Sequence, residues 1–178
     1  MTDTGQEERC SVSLEFETIR ERMAEYLNSQ GIDAVSAYPD SGRLRRKGVV
    51  AAVSLRACQG GPGGFQDYLG ERYDQESGQW QELYGRKMVL TFGLDLYAPQ
   101  KGGAAEIQAA FDRMVQALRQ EGPVGLRLLE LSCGETEFDQ EAGLYHRKVE
   151  ALCQGYLYAV ATEGGEFLDF IVRGESRI

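Results

Sequence analysis

The chain has 178 residues, which is enough for one ordinary domain with a complete core and too few for two comfortable domains. A hydrophobic fraction of 42% and a charged fraction of 26% are typical of folded globular proteins and argue against wholesale disorder. The formal net charge of -9 argues against a sequence-reading nucleic-acid binder, because an acidic surface repels the phosphate backbone.

The first predicted element is a helix that follows a polar, flexible tail at residues 1–12. Ser13 can cap its start, and Gly31 stands where the helix would stop. Its apolar side chains recur at helical spacing, at Phe16, Ile19, Met23, Tyr26 and Leu27. The tail has neither the cationic start nor the apolar run of a signal peptide, and no window is long enough to cross a bilayer, so we expect an intracellular protein.

Two short strands are predicted next, "IDAVSAY" and "GVVAAVSLRAC", and a basic segment lies between them. This segment reads "RLRRK" and places four cations within five residues: Arg43, Arg45, Arg46 and Lys47. Two interpretations stay open, a solvated loop or a patch that contacts an acidic partner surface.

A glycine-rich stretch, "ACQGGPGGFQDYLG", follows the second strand. A phosphate-binding loop would open a helix, and its nucleotide-binding form would end in Gly-Lys-Ser/Thr. Neither feature occurs here, so we predict a flexible hinge at Gly60–Gly64 that supports a projecting loop or ribbon at residues 60–82. The aromatic side chains of this region either anchor another protein or pack back on the domain: Phe65, Tyr68, Tyr73, Trp80 and Tyr84.

A long strand and a second helix are the clearest periodic segments. Every even position from Met88 to Ala98 is apolar, which predicts a strand with one buried side. After Pro99, a helical stripe of apolar residues starts at Ile107 and runs until Gly122 and Pro123 stop it. We predict that strand and helix share one core, formed by Met88, Phe92, Leu94, Phe111, Met114 and Leu118.

The remaining chain predicts a hairpin with a turn at Asp139–Gly143 and a last strand at Phe167–Val172. In the second hairpin strand, Val149, Ala151 and Cys153 share the face that should pack on helices. The expected fold class is α+β: a mostly antiparallel sheet with two helices packed on one face and a long β-loop or ribbon insertion after the second strand. One domain at residues 13–161 would carry an extra strand and tail at 162–178.

No sequence feature indicates a catalytic or metal site. Cys10, Cys58, Cys133 and Cys153 are scattered without metal-ligand spacing, so reduced thiols are expected. The only histidine, His146, has no nucleophile and carboxylate at a recognised spacing. We therefore expect no cofactor, no metal and no enzymatic activity.

Three phrases in the second half of the chain carry a family resemblance: "LTFGLDLYAP", "EIQAAFDRMVQAL" and "EFDQEAGLYHRKVEALCQGYLYA". Their order resembles the tail terminator (tail-completion) proteins of long-tailed bacteriophages and prophages. In that family a long strand precedes the sheet-covering helix, and an acidic turn precedes the last core strand. Tyr145 stands where the family often has tryptophan. The chain departs from the pattern in its N-terminal tail, its glycine-rich insertion and its terminal strand.

The resemblance implies a structural virion protein. Six copies would form a ring at the end of the tail tube, stop its polymerisation and provide the head-joining surface. The implied partners are other copies of the chain, the tail tube protein and head-completion or neck proteins. DNA would only pass through the lumen, without sequence-specific binding, and no membrane would be involved. The protein would occupy the bacterial host cytoplasm during assembly and then the virion tail.

The residues expected at the interfaces combine the basic segment, the aromatic insertion and the two last strands. They are Arg43, Arg45, Arg46, Lys47, Phe65, Tyr68, Tyr73, Trp80, Tyr156, Tyr158, Phe167 and Phe170. Two alternatives stay open. The chain could be another neck or tail-completion adaptor, or an α+β domain that binds a small ligand or acts as an enzyme.

Overall fold

The computed structural model describes residues 12–36, 48–62, 67–162 and 167–172, and the side chains of 17–36, 48–61 and 67–156 among them. These residues include two helices, α1 (Val12–Ser29) and α2 (Gly103–Gln120). The strands are β1 (Ala34–Val35), β2 (Val50–Pro62), β3 (Tyr68–Asp74), β4 (Gln79–Pro99), β5 (Arg127–Asp139), β6 (Leu144–Thr162) and β7 (Phe167–Val172).

All seven strands form one sheet around the long central pair β4 and β6. At the end near Pro99 the strand order is β1-β2-β4-β6-β5, and at the other end β3 lies beside β4 and β7 beside β6. Among the described strands, β1 and β2 pair in parallel and the other pairs are antiparallel. The predicted α+β class with a mostly antiparallel sheet is confirmed.

Both helices pack on the same face of the sheet, as their apolar stripes predict. Met23 and Leu27 of α1 and Met114 of α2 join one buried cluster with the even positions 90–98 of β4, including Phe92. In addition, the Tyr26 hydroxyl donates to the Ala117 carbonyl at 2.8 Å, which ties α1 to the last turn of α2. The helix-side face of β6 is buried at Val149, Ala151 and Cys153, as expected from its alternation.

Two members of the predicted core lie at its border. Phe111 is only half-buried, since it faces the gap between α2 and the edge strand β5 and has the Arg147 guanidinium 5.1 Å from its ring centroid. Met88 is also half-buried, because it lies on β4 close to where the helices end. Phe92, Leu94, Met114 and Leu118 are fully buried, as predicted.

The prediction of a flexible hinge at Gly60–Gly64 is wrong for its first half. Gly60 and Gly61 belong to β2 and pair with Met88 and Lys87 of β4. A Cβ atom at Gly60 would lie 3.0 Å from the Met88 sulfur, so a larger residue there would require the Met88 side chain to shift. The insertion is a β-ribbon, because β3 returns along β4 immediately beyond the end of β2. Gly63 and Gly64 lie outside the described residues.

Two nearly identical pentapeptides build the hairpin turns that lie within the described residues. "DQESG" at Asp74–Gly78 joins β3 to β4, and "DQEAG" at Asp139–Gly143 joins β5 to β6. In each, the glycine amide donates to the aspartate carbonyl, at 2.9 and 2.8 Å, and the aspartate carboxylate accepts a further backbone N–H. The glycines have φ of 67° and 64°, a region that side chains disfavour. The second turn was predicted from sequence and the first was not.

Candidate interaction surface

The sheet extends well beyond the helices at the end where β3 lies. Helix α2 has 18 residues, about 27 Å of length, and starts beside the Pro99 end of β4. Strand β4 has 21 residues, about 70 Å when extended, so α2 covers less than half of it. The uncovered part of β4 together with β3 is called the ribbon below, with residues 68–74 and 79–85.

One face of the ribbon is built from three cross-strand pairs. The β4–β6 register keeps one offset over its whole length, so even positions of β4 stay on the helix side of the sheet. On that side the ladder of β3 and β4 pairs Tyr68 with Tyr84, Glu71 with Glu82, and Tyr73 with Trp80. These six residues are called the ribbon face below.

Aromatic pairs occupy both ends of the ribbon face. The rings of Tyr68 and Tyr84 meet edge to face with centroids 5.4 Å apart, and those of Tyr73 and Trp80 with centroids 5.5 Å apart. Tyr73 and Trp80 are nevertheless 53% and 50% exposed. Large aromatic side chains that remain half-exposed on a sheet surface are typical of contact sites for other proteins.

Two carboxylates meet at the centre of the ribbon face. Glu71 and Glu82 stand opposite each other, an arrangement that destabilises a sheet when both are charged. Each accepts a phenolic hydrogen bond, Glu71 from Tyr68 at 3.1 Å and Glu82 from Tyr84 at 2.7 Å. The bond to Glu82 raises the pKa of Tyr84, because it holds the phenol in its protonated form. The face is therefore acidic between two aromatic ends.

The opposite face of the ribbon is packed and hydrogen-bonded. Leu83 is buried, with Leu69 and Tyr156 packed against it. Gln81 is also buried, accepting from Arg72 Nε at 2.9 Å and donating to Asp74 at 3.3 Å. These contacts stabilise the ribbon from behind and leave its helix-side face open.

An ion cluster lies on the sheet face opposite the helices. Arg56 projects from a bulge in β2, donates to both oxygens of Asp95 at 2.7 Å and reaches Glu150 at 2.6 Å. Asp95 also accepts the backbone N–H of Val149 at 3.2 Å. A Cβ atom at Gly93 would lie 2.5 Å from the Arg56 Nε atom, so glycine lets the arginine cross the sheet. Burial alone would lower the pKa of Arg56, but the bonds to Glu150 and Asp95 raise it. The guanidinium therefore stays charged.

The edge strand β5 carries features that discourage pairing with another sheet. Among the described strands it pairs only with β6, and register shifts at two places break its regularity. Four exposed carboxylates also line it: Glu130, Glu135, Glu137 and Asp139. Bulges and edge charges are common means of preventing edge-to-edge association. This edge is therefore a poorer contact surface than the ribbon face.

A groove of about 740 Å³ separates α2 from β5. Its floor is apolar, with Phe111, Val115, Leu118 and Leu128, and Arg119 and Glu130 stand among its lining residues.

Within the described part of the chain, no three His, Cys, Asp or Glu side chains gather as metal ligands. His146 stacks on Tyr97 with ring centroids 4.7 Å apart. No helix among the described residues has the length and apolar character to span a membrane.

The cysteines differ in their expected reactivity. Burial raises the pKa of Cys153 to about 12, whereas Cys58 and Cys133 are exposed. Partial burial also raises the pKa of the Cys58 thiol. Because the thiolate is the nucleophile, we expect an alkylating reagent near pH 8 to label Cys133 in the folded protein, Cys58 more slowly, and Cys153 only after unfolding. Peptide mass spectrometry would measure the labelling, and equal labelling of all three before unfolding would contradict the assignment.

The raised pKa of Cys153 also makes stability depend on pH. Between about pH 9 and about 12, the unfolded chain loses a proton at Cys153 that the folded chain keeps, so stability falls as pH rises through this window.

The structure brings together only part of the predicted interface set. Tyr68, Tyr73 and Trp80 share the ribbon face, whereas Tyr156 lies on the opposite side of the sheet and packs against Leu83. Arg43, Arg45, Arg46, Lys47 and Phe65 lie outside the described residues. Tyr158, Phe167 and Phe170 lie in β6 and β7, and their side chains are outside the described set.

Sequence reasoning missed the carboxylates of the ribbon face and the strand pairing that opposes them. Glu71 and Glu82 are eleven positions apart and belong to no motif. The available signal was the pentapeptide "DQESG", which repeats the recognised turn "DQEAG" and predicts a hairpin between them.

No protein-family model matches this chain, and no curated protein matches it. The likeness to tail terminator proteins therefore rests on the short phrases quoted above and on the order of the elements.

Proposed function

We propose that this protein is a structural component of a bacteriophage or prophage tail. In this proposal it self-associates into a ring at the end of the tail tube, stops polymerisation of the tube and provides the surface that joins the head. It acts in the cytoplasm of the bacterial host during assembly and remains in the virion tail. The order of elements, with a long strand before a sheet-covering helix and an acidic turn before β6, supports this assignment.

The ribbon face is the observation that carries the self-association. It lies beyond the reach of α2, and it exposes half of Trp80 and of Tyr73 on a sheet extension stabilised from behind by Leu83. A surface of this kind is expected to be covered in an assembly, because buried aromatic anchors supply much of the binding energy of protein interfaces. A ring needs two different contact surfaces on each copy, since neighbours meet head to tail.

The assembly state in solution tests the proposal. We expect light scattering to show a hexamer of about 119 kDa, six times the 19.8 kDa chain, or a monomer that becomes a ring on the ends of purified tail tubes. Electron microscopy of tubes polymerised with and without the protein would show whether it caps the ends and limits their length. A monomer that also fails to bind tubes would contradict the proposal.

The same experiment separates the two alternatives. A monomer that binds tube or neck proteins without forming a ring would identify an adaptor. A protein that neither assembles nor binds tubes would favour the small-ligand alternative. The groove between α2 and β5 would then be the candidate ligand site, because clefts of this volume hold small molecules in other proteins.

A further inference from the structure

We propose that the ribbon face is the docking site for the basic segment Arg43–Lys47 of a second copy of this chain. The proposal deepens the function above by naming the two surfaces that meet, and it rests on the self-association in that function. It requires neither six copies nor a tail tube.

The chemistry of the ribbon face suits an arginine-rich segment. Glu71 and Glu82 provide two adjacent carboxylates, which guanidinium groups bind with charge-assisted hydrogen bonds. Trp80 and Tyr73 provide exposed aromatic rings beside them, on which guanidinium groups stack. The segment "RLRRK" supplies three guanidinium groups and one ammonium group. A cation between the two glutamates would also remove the repulsion that their pairing creates.

The described part of the chain supplies no cation to these carboxylates. No ion pair joins Glu71 or Glu82 to a described lysine or arginine. Arg86 is the next even-numbered cation along β4, and strand spacing places it about 13 Å from Glu82. The ribbon together with its turn and Asp67, residues 67–85, is acidic and has Arg72 as its single cation against five carboxylates: Asp67, Glu71, Asp74, Glu76 and Glu82. A basic occupant is therefore favoured over an acidic or neutral one.

The basic segment of the same copy cannot reach this face. It lies between Ser36 and Gly48, and Gly48 is two residues before Val50, which pairs with Tyr97 of β4. Glu82 is fifteen residues further along β4 from Tyr97, about 50 Å away along the strand. Arg43 is five residues from Gly48, so its backbone extends at most about 17 Å from that anchor. Contact between the two surfaces must therefore join different copies.

The positions of the two surfaces also fit a head-to-tail contact. The ribbon lies at one end of the long strands, and the anchors of the basic segment lie at the other. Each copy then offers its ribbon to one neighbour and its basic segment to another, which closes into a ring when the rotation between copies permits. The carboxylate-lined edge of β5 need not take part.

A charge swap tests the contact in the full chain. The variant E71K/E82K reverses the ribbon face, and R45E/R46E reverses the basic segment. We expect each to weaken self-association at least about tenfold in sedimentation experiments, because like charges then meet at the contact. The chain that combines both pairs of substitutions restores opposite charges, and its association should return to within about threefold of the original.

Two controls test whether a loss of association comes from misfolding or from the change in net charge. E71K/E82K keeps two like charges opposite each other but removes the phenolic hydrogen bonds to Glu71 and Glu82, so circular dichroism and denaturant unfolding would check that the variant keeps its fold. E135K/E137K makes the same change in net charge on exposed positions of β5 and should leave association unchanged. If the combined variant fails to recover, or if E135K/E137K weakens association as much as E71K/E82K, the proposed contact is wrong.

The single tryptophan gives a direct readout of docking. Trp80 is the only tryptophan of the chain, so its fluorescence reports on the ribbon face alone. A synthetic peptide with the sequence of residues 37–48 should shift or quench this emission in the full-length R45E/R46E variant, whose own segment no longer competes. The effect should disappear in about 1 M salt, where the Debye length is about 3 Å. A peptide with glutamates in place of Arg45 and Arg46 is the matched control, and an equal effect from it would overturn the proposal.

Failure of this contact and failure of the proposed function are distinguishable. If E71K/E82K assembles and caps tubes normally, the tail role stands and the ribbon contact is rejected. If the charge swap behaves as expected but tubes are not capped, the contact stands and the tail role is rejected.

Discussion

Replacing Phe92 by alanine is expected to destabilise the protein by about 3–5 kcal/mol, the range found for fully buried phenylalanines. Phe92 is 0% exposed in the middle of β4 and belongs to the cluster that joins both helices to the sheet. Its direct neighbours in register are Leu55 of β2 and Ala151 of β6. The small side chain of Ala151 cannot fill the space that the ring would leave, so most of the cavity should remain.

Denaturant unfolding of Phe92→Ala and two comparison variants would measure this effect. Leu129→Ala removes an apolar side chain that is 45% exposed on β5, and its effect should stay within about 0.5 kcal/mol. Phe111→Ala should fall between the two, because Phe111 is only half-buried. A loss for Phe92→Ala no larger than that for Leu129→Ala would show that the helices do not pack on the sheet as described.

Replacing Asp95 by alanine is expected to cost about 1–3 kcal/mol, the usual penalty for leaving partly buried polar groups without their partner. The change removes both hydrogen bonds from Arg56 and the acceptor of the Val149 N–H. Regular bridge pairing between β4 and β6 lapses between Gly93 and Leu96, so the carboxylate substitutes there for a backbone acceptor. The loss should therefore exceed that of an ordinary surface ion pair.

Glu150→Gln is the matched control for Asp95→Ala. Glu150 binds the same guanidinium, but its side chain is 50% exposed against 17% for Asp95, so its loss should cost less than about 1 kcal/mol. A double-mutant cycle with Arg56→Ala would isolate the coupling between Arg56 and Asp95. Equal effects of Asp95→Ala and Glu150→Gln would mean that the contact with the backbone of β6 contributes nothing.

The elements that sequence predicted well are those whose signal is local. The stripes of α1 and α2 and the alternation of β4 follow from the repeat of helix and strand, and each is written in consecutive residues. The turn at Asp139–Gly143 was found for the same reason, since an aspartate and a glycine at this spacing supply the acceptor and the positive φ that the turn needs. The local signals of helices, strands and this turn were therefore enough to predict the fold class without knowledge of any tertiary contact.

The sequence predicted a projecting loop or ribbon at residues 60–82 but not the strand pairing within it, because neither face of the ribbon is apolar. Strand β3 reads YLGERYD and has Leu69 as its only aliphatic side chain, so no hydrophobic period of two marks the strand. Its pairing depends on the register fixed by the turn at Asp74–Gly78, and that register decides that Glu71 meets Glu82. The carboxylate pair is a property of two strands and of neither one alone.

The segments that become helices and strands, and the sides of them that are apolar, follow from the amino-acid order alone, because both depend on neighbours along the chain. The extent to which the helices cover the sheet, in contrast, depends on the packing of the folded chain. The 18-residue α2 is too short to reach the far part of the 21-residue β4, which leaves Met88 half-buried and the ribbon face open. The contact between Arg56 and Asp95, which are 39 positions apart in the sequence, likewise depends on the tertiary structure. Such contacts depend on chain length, register and bulge position together, and no periodicity within one segment encodes them.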